Sequence, residues 1–536
     1  MRKGFLIIAS AFTLALVSCK NNSNTKTNRI TESKPVEEIT ITEKDNEVIK
    51  KKLPFSNADK NFSIKDSYID TYFFDNSVIP YVSIDDYINN VGYYPNKVSV
   101  NDNIYTMMKG EYDYKFVVDS DKDTITVNNY NYYSIDDKDY DEIPEYHENL
   151  LMLSTEIRDN SKPDVIDISK YNFDIKEVEN KNVIPFHVVN SLFSLESYYY
   201  LYYLGDKYIG NSYDNYYINV TPTFTPTKEF MQYNYDFLDF TFNELYGLNN
   251  YFDFKTSDNL ALYKTDIMNQ DHTSFGVDSF ISSLSDMHTY ILKTDMFNEN
   301  INEYAPYSDR ERNFWNVHRM LKKDFSSKNY SDCEIIDSNT LMITFNEFEV
   351  ELEDGIDSKI KGYLDFAKEN NYKNIIFNVT LNGGGDTFSL AQILGLLTND
   401  DIYFEFKNTK SGQIATETFK VDANRDGSYT DDDAYDFNYF VLSSEYTFSC
   451  ANDFVNYCKE YNLAKIIGKK SGGGGCAIYP FTTPTGMLIC ASSLNGLFDE
   501  NDKLIELGID VDYEIDYDDI YDKDVLSDVV SKASTL

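Results

Sequence analysis

The sequence predicts an α/β protein of the α+β kind: a strand-rich N-terminal domain, a helical segment, then a C-terminal crossover α/β core. Three observations carry this. From about Leu53 to Thr225, strand-like runs are punctuated by turn sequences such as DNS, SDKD and NVGYYPN. In Phe230–Leu248 and Ser274–Leu292 the apolar residues recur at helical spacing. After that, Asn339–Phe348 reads as a strand, Asp354–Glu369 as an amphipathic helix and Lys373–Val379 as a buried strand. That strand–helix–strand order is the signature of a crossover.

The N-terminus is read first. Arg2 and Lys3 precede an apolar run, Phe5 to Val17, which ends at Ser18 and Cys19. A basic start, a short apolar centre and a small residue at the end describe a secretory signal. LVSC (Leu16–Cys19) resembles the lipobox of bacterial lipoproteins, which implies lipidation at Cys19 and an extracytoplasmic protein anchored to the cell membrane by lipid. Residues 20–52 are polar, without apolar periodicity, and are expected to form a disordered tether.

Residues 53–227 are expected to form the strand-rich binding or spacer domain. Within it, Phe73–Val91 and Val178–Leu195 share a polar turn, then VIP plus an aromatic, then a helical run. Duplication and coincidence both fit. Residues 228–338 form the helical segment and 339–536 the core.

With 89 acidic against 48 basic residues the formal net charge is −41. Nucleic acid is therefore excluded as a partner, because phosphate binding needs a basic footprint. Beyond Cys19 stand Cys333, Cys450, Cys458, Cys476 and Cys490, and the five histidines are scattered. No cluster has zinc spacing, so the chemistry calls for no metal cofactor. Cys450 and Cys476 flank the most informative stretch, where a disulfide and two free thiols both fit.

That stretch follows the apolar run Tyr439–Ser444. The run ends at TFSC, and Ala451–Tyr461 then spaces Phe454, Val455, Cys458 and Tyr461 like one helix face. A serine at such a strand-to-helix turn, Ser449, has an exposed hydroxyl near a positive helix end. This suits a nucleophile whose attack creates an oxyanion, and equally an ordinary N-cap. Earlier, the buried strand Lys373–Val379 runs into TLNGGGD (Thr380–Asp386), glycines that let backbone amides approach a ligand.

A second motif follows the calcium-loop pattern DxNxDG with an acid at position twelve. Its candidate ligands are Asp422, Asn424, Asp426, Ser428, Thr430 and Asp433, with Gly427 at the sharp turn. A structural Ca2+ and a plain acidic turn both fit.

Taken in order, LSDMHT (Leu284–Thr289), the strand–helix–strand ending in NGGG, TFSC, IIGKKSGGG and IELGIDVDYEI resemble the C-terminal processing, or tail-specific, serine peptidases. The branch is the histidine-containing one that includes the tricorn core. The resemblance implies a hydrolase acting on protein or peptide substrates. It also implies Ser449 as nucleophile, with amides near Gly384 and Cys450 as oxyanion hole. Aligning on IIG puts Gly474 where better-known members carry a lysine base. The implied base is then His288, in a DxH pattern, with Glu506 as the orienting carboxylate. Only about fifty residues separate His288 from Asn339, too few for a PDZ domain. The competing expectation is a binding lipoprotein that keeps the peptidase scaffold without turnover.

Overall fold

The computed structural model describes residues 37–534 apart from 44–45, 63, 92–96, 102, 110–113, 130–148, 159–161, 196, 250, 252–254, 298–304, 350–354 and 431–432. The signal sequence and Cys19 lie outside the described residues. Two adjacent strands, Glu37–Glu43 and Asn46–Asn57, replace the end of the expected tether. Val48, Leu53 and Phe55 are buried in the second of these, whose register pairs Val48 with Phe74. The run Lys50–Lys52 masked this alternation in the sequence.

The parallel sheet of the C-terminal region runs Cys333–Ile335, Thr340–Thr344, Asn374–Asn378, Asn438–Ser443, Ala464–Gly468, Tyr513–Glu514; every pair is parallel except the first. Its central strands have apolar middles, such as Ile375–Phe377 and Tyr439–Leu442, because both faces are covered. Ile375, Phe377 and Val441 face one core with the helices Ile356–Glu369, Thr387–Gly395 and Cys450–Glu460. Ile376, Phe440 and Leu442 face another, with Leu321 of the helix Asp309–Lys328 and Leu526 of Lys523–Ala533.

The N-terminal region is not a separate body. Its eight-stranded sheet sets the two VIP copies side by side: Tyr81–Ser83 pairs antiparallel with Lys181–Pro185, and each strand leads into a helix, Ile84–Val91 or Phe186–Ser194. One core joins these helices to Lys228–Glu244, Thr273–Leu284 and the hairpin Cys476–Thr482/Leu488–Leu497. The strand Leu150–Arg158 pairs along its length with Ile414–Val421. The boundary read at residue 227 therefore falls inside continuous packing. Among the described residues no helix is long and apolar enough to cross a membrane.

Candidate active site

Ser449 precedes the helix Cys450–Glu460 and sits at φ 54°, ψ −129°. For a residue with a Cβ this is a strained conformation costing about 1–3 kcal/mol, and it persists only where the surroundings impose it. Here they do. The Ser449 amide donates to Gly473 O (2.8 Å), and the Phe448 amide donates to Asn382 O (3.2 Å). Thr447 Oγ1 donates to Val379 O (2.8 Å) and Ser444 Oγ to Thr380 O (2.7 Å). Two strand ends are thereby stitched together, with Ser449 at the sharp corner; the residue is buried, not exposed as expected from its place at the turn. In some hydrolases a strained strand-to-helix turn of this kind presents a nucleophile.

The glycines have identifiable reasons. A Cβ on Gly384, at φ +116°, would lie 2.8 Å from Ser449 Cβ, so the NGGG turn passes directly over Ser449. In the second run, a Cβ on Gly473 would come within 1.8 Å of Glu506 O, and one on Gly474 within 2.6 Å of the Phe448 ring. The run Gly472–Gly475 is threaded between the Ser449 turn and the Glu506 segment, where only glycine fits.

The oxyanion donors need one correction. The Gly384 amide is engaged, donating to Asn382 Oδ1 at 2.9 Å. Asn382 caps its own turn, an arrangement invisible in the spacing. The Cys450 amide lies in the first turn of its helix, where N–H groups have no intrahelical acceptor and the helix end is positive. The Cys450 thiol is fully buried, and burial pushes it well above its ordinary value, which disfavours the thiolate. Cys450 and Cys476 are both free thiols.

His288 follows a turn. The helix expected to reach Leu292 is Thr273–Leu284; it ends at Ser285 in the left-handed conformation, and Tyr290–Lys293 is a strand. Asp286 organises the turn: its carboxylate accepts from the His288 amide (2.9 Å) and from the hydroxyls of Tyr246, Thr289 and Ser492. The imidazole is buried against the Phe448 ring, centroids 4.6 Å apart, and neither ring nitrogen has a hydrogen-bond partner. Burial pulls the ring down to about 4, Asp286 opposing and Arg310 reinforcing. It is neutral at neutral pH.

Glu506 does not meet His288 as the resemblance implied. Its Oε1 accepts from Arg310 at 2.7 Å and its Oε2 from the Gly475 amide at 2.9 Å, with the side chain fully buried. The reason lies 196 residues upstream: Arg310 also donates to Glu506 O, Gly472 O and Ser285 O. One guanidinium thus ties the His288 turn, the glycine run and Glu506 together. A signal for it existed: Ser308 and Glu311 form an S-x-x-E helix start, with the Ser308 side chain accepting from the Glu311 amide. Asp453 was also missed. It is buried with no partner on either oxygen, and burial and the nearby Glu506 push its carboxyl well up.

The calcium-pattern side chains accept backbone amides. Asp422 takes those of Asp426 and Gly427, Asn424 that of Asp426, Asp426 that of Ser428, and Asp433 that of Thr430. Gly427 holds φ +83° at the sharp turn. Among the described residues no three His, Cys, Asp or Glu side chains are gathered as a metal site. Lys469 pairs with Glu514 and Asp516, and Lys470 with Asp510, so neither approaches Ser449 as a base.

Among solved structures the chain is similar to a proposed peptidase of Parabacteroides merdae ATCC 43184, at 18% identity and TM-score 0.43, covering 55% of this chain and 92% of that one. It is similar to mature CPAF complexed with lactacystin, at 11% identity and TM-score 0.40, covering 57% and 99%. A lipoprotein from Streptococcus agalactiae is matched at 13% identity and TM-score 0.36, covering 59% and 100%. None of the curated proteins matches the chain. The model of Peptidase family S41 matches residues 339–515, the span holding the five mutually parallel strands of that sheet, both glycine turns and Ser449. Over that span the chain is similar to Peptidase family S41.

Proposed function

We propose that the protein is an extracytoplasmic, lipid-anchored serine peptidase that hydrolyses protein or peptide substrates through Ser449. The observation that carries this reading is the strained backbone of Ser449 at a strand-to-helix turn, with the NGGG turn above it. Ser449 Oγ attacks the scissile carbonyl, and the Cys450 amide at the positive helix end stabilises the oxyanion; such a donor is worth about 3 kcal/mol. His288 takes the serine proton and returns it to the leaving amine. In the resting protein it makes no hydrogen bond, and substrate binding must bring it into line, as catalytic contacts often tighten only in the complex. In this reading Glu506 acts through Arg310, fixing the loops around the site. A Ca2+ ion in the loop Asp422–Asp433 has a structural part only, read from melting with and without chelator.

The test is hydrolysis of casein by wild type, Ser449→Ala and His288→Ala. Both variants are expected to be inactive. Because the His288 ring is pulled down to about 4, it stays in its basic form until the pH falls near that value. The acid limb of kcat/KM is therefore expected near pH 4, below the histidine's ordinary 6.5. A fully active Ser449→Ala variant would end this proposal.

One observation favours a second reading, a non-catalytic binding lipoprotein. The Phe448 ring fills the space over Gly474 and lies against an imidazole with no partner. Inert wild-type protein under all these conditions would select it.

A further inference from the structure

Beside the nucleophile turn lies a cavity of about 620 Å³, within the range of small-ligand sites. The helix Thr273–Leu284 contributes Asp278 to it, and the helix Asp309–Lys328 contributes Glu311, Phe314 and Trp315. Phe448, the neighbour of Ser449, forms part of the wall. Among the described residues every charged side chain in the lining is acidic: Asp278, Asp286 and Glu311, with no lysine, arginine or histidine.

Asp286 is spent on the hydroxyls and amide that hold the His288 turn. Asp278 and Glu311 are less committed. Asp278 accepts the Ala305 amide at 2.7 Å, and Glu311 takes the Ser308 amide as a helix-start cap. Neither forms an ion pair among the described residues. Both carboxyls are pushed up by burial, and the charge of Asp278 adds to the effect at Glu311. Two half-buried acids without a cation, walled by aromatic faces, leave an electrostatic demand the chain itself does not meet. A cation brought in by a ligand meets it twice, through the carboxylates and through the ring faces.

We propose that this cavity is the subsite for a lysine or arginine side chain of a peptide substrate, its cationic head drawn by Asp278 and Glu311 and its aliphatic stem laid along Phe314 and Trp315. The assignment rests on the peptidase reading, since Phe448 connects the cavity to Ser449. It gives that reading a substrate class: peptides with a basic residue near the scissile bond. Long basic side chains suit such a slot because their stems are apolar and only their tips are charged.

Trp315 is the only tryptophan in the chain, so the cavity carries its own fluorescent reporter. A short lysine peptide and its norleucine counterpart are titrated into full-length Ser449→Ala protein, and again into that protein with Asp278→Asn and Glu311→Gln added. These changes keep each amide acceptor while removing the charge, and unchanged far-UV circular dichroism checks the fold. The lysine peptide is expected to bind about tenfold tighter than the norleucine peptide, and the added changes to erase the preference. Equal binding of the two peptides, no binding of either, or a preference that survives the charge removal each overturns the proposal. Because binding is read without turnover, lysine-selective binding beside inert wild-type protein would retain the subsite and remove the peptidase reading.

Discussion

Ser449 and Asp453 lie one helical turn apart and are costly for different reasons. At Ser449 the cost is backbone strain, which glycine does not suffer at positive φ. Ser449→Gly is expected to be more stable than Ser449→Ala by about 1 kcal/mol in urea unfolding, although both lose the hydroxyl. The reverse order would mean the turn is unstrained. At Asp453 the cost is a buried carboxyl kept protonated by burial and by Glu506. Its folded-state pKa exceeds the unfolded value near 3.8, so the folded state holds a proton that the unfolded state releases above that pH. Its contribution is intact at low pH and is lost as pH rises toward the folded value. Asp453→Asn removes this dependence. The variant's stability relative to wild type should grow as the pH rises above about 4, by up to about 1.4 kcal/mol per unit. Parallel curves for the two proteins would show that Asp453 ionises freely.

At the scale of elements, what the sequence disclosed and what it hid separate cleanly. The strand Asn438–Ser443 and the helix Cys450–Glu460 fall within a residue of their expected limits, because an apolar run and helical spacing meet at TFSC. That helix was read as having one apolar face, yet every residue from Cys450 to Cys458 is buried; polar Asn452 and Asp453 hid this. Arg310 was beyond reach for another reason: its partners are loop carbonyls and a carboxylate far away in the chain, and loop carbonyls leave no mark in side-chain pattern. Its importance is measurable. Arg310→Ala leaves Glu506 buried and unpaired, and is expected to cost about 3–5 kcal/mol. Adding Glu506→Gln should recover part of that loss, since the stranded charge is gone. If the double variant is no better than the single one, the lost loop contacts, not the charge, set the cost.

For the whole molecule, the N-terminal region shares its packing with the segments that follow it. A fragment of residues 228–536 lacks the strand Leu150–Arg158 and much of the core around Phe186–Ser194. It is expected to be insoluble, or to lack a cooperative melt, under conditions where the full chain unfolds in one transition. Cooperative melting of the fragment would restore the boundary at residue 227. The C-terminal order of elements was legible because a parallel sheet writes its central strands as local apolar runs. The pairing of Leu150–Arg158 was not, because an antiparallel partner can come from anywhere in the chain.

That pairing also has a consequence in time. The strand Leu150–Arg158 leaves the ribosome long before Ile414–Val421 exists to receive it. At about 5–20 residues per second the wait is on the order of tens of seconds. Throughout it, a nine-residue edge bearing Leu150, Leu151, Leu153 and Ile157 has no template in its own chain. Until synthesis has passed residue 421, that edge stays open to pairing with other chains.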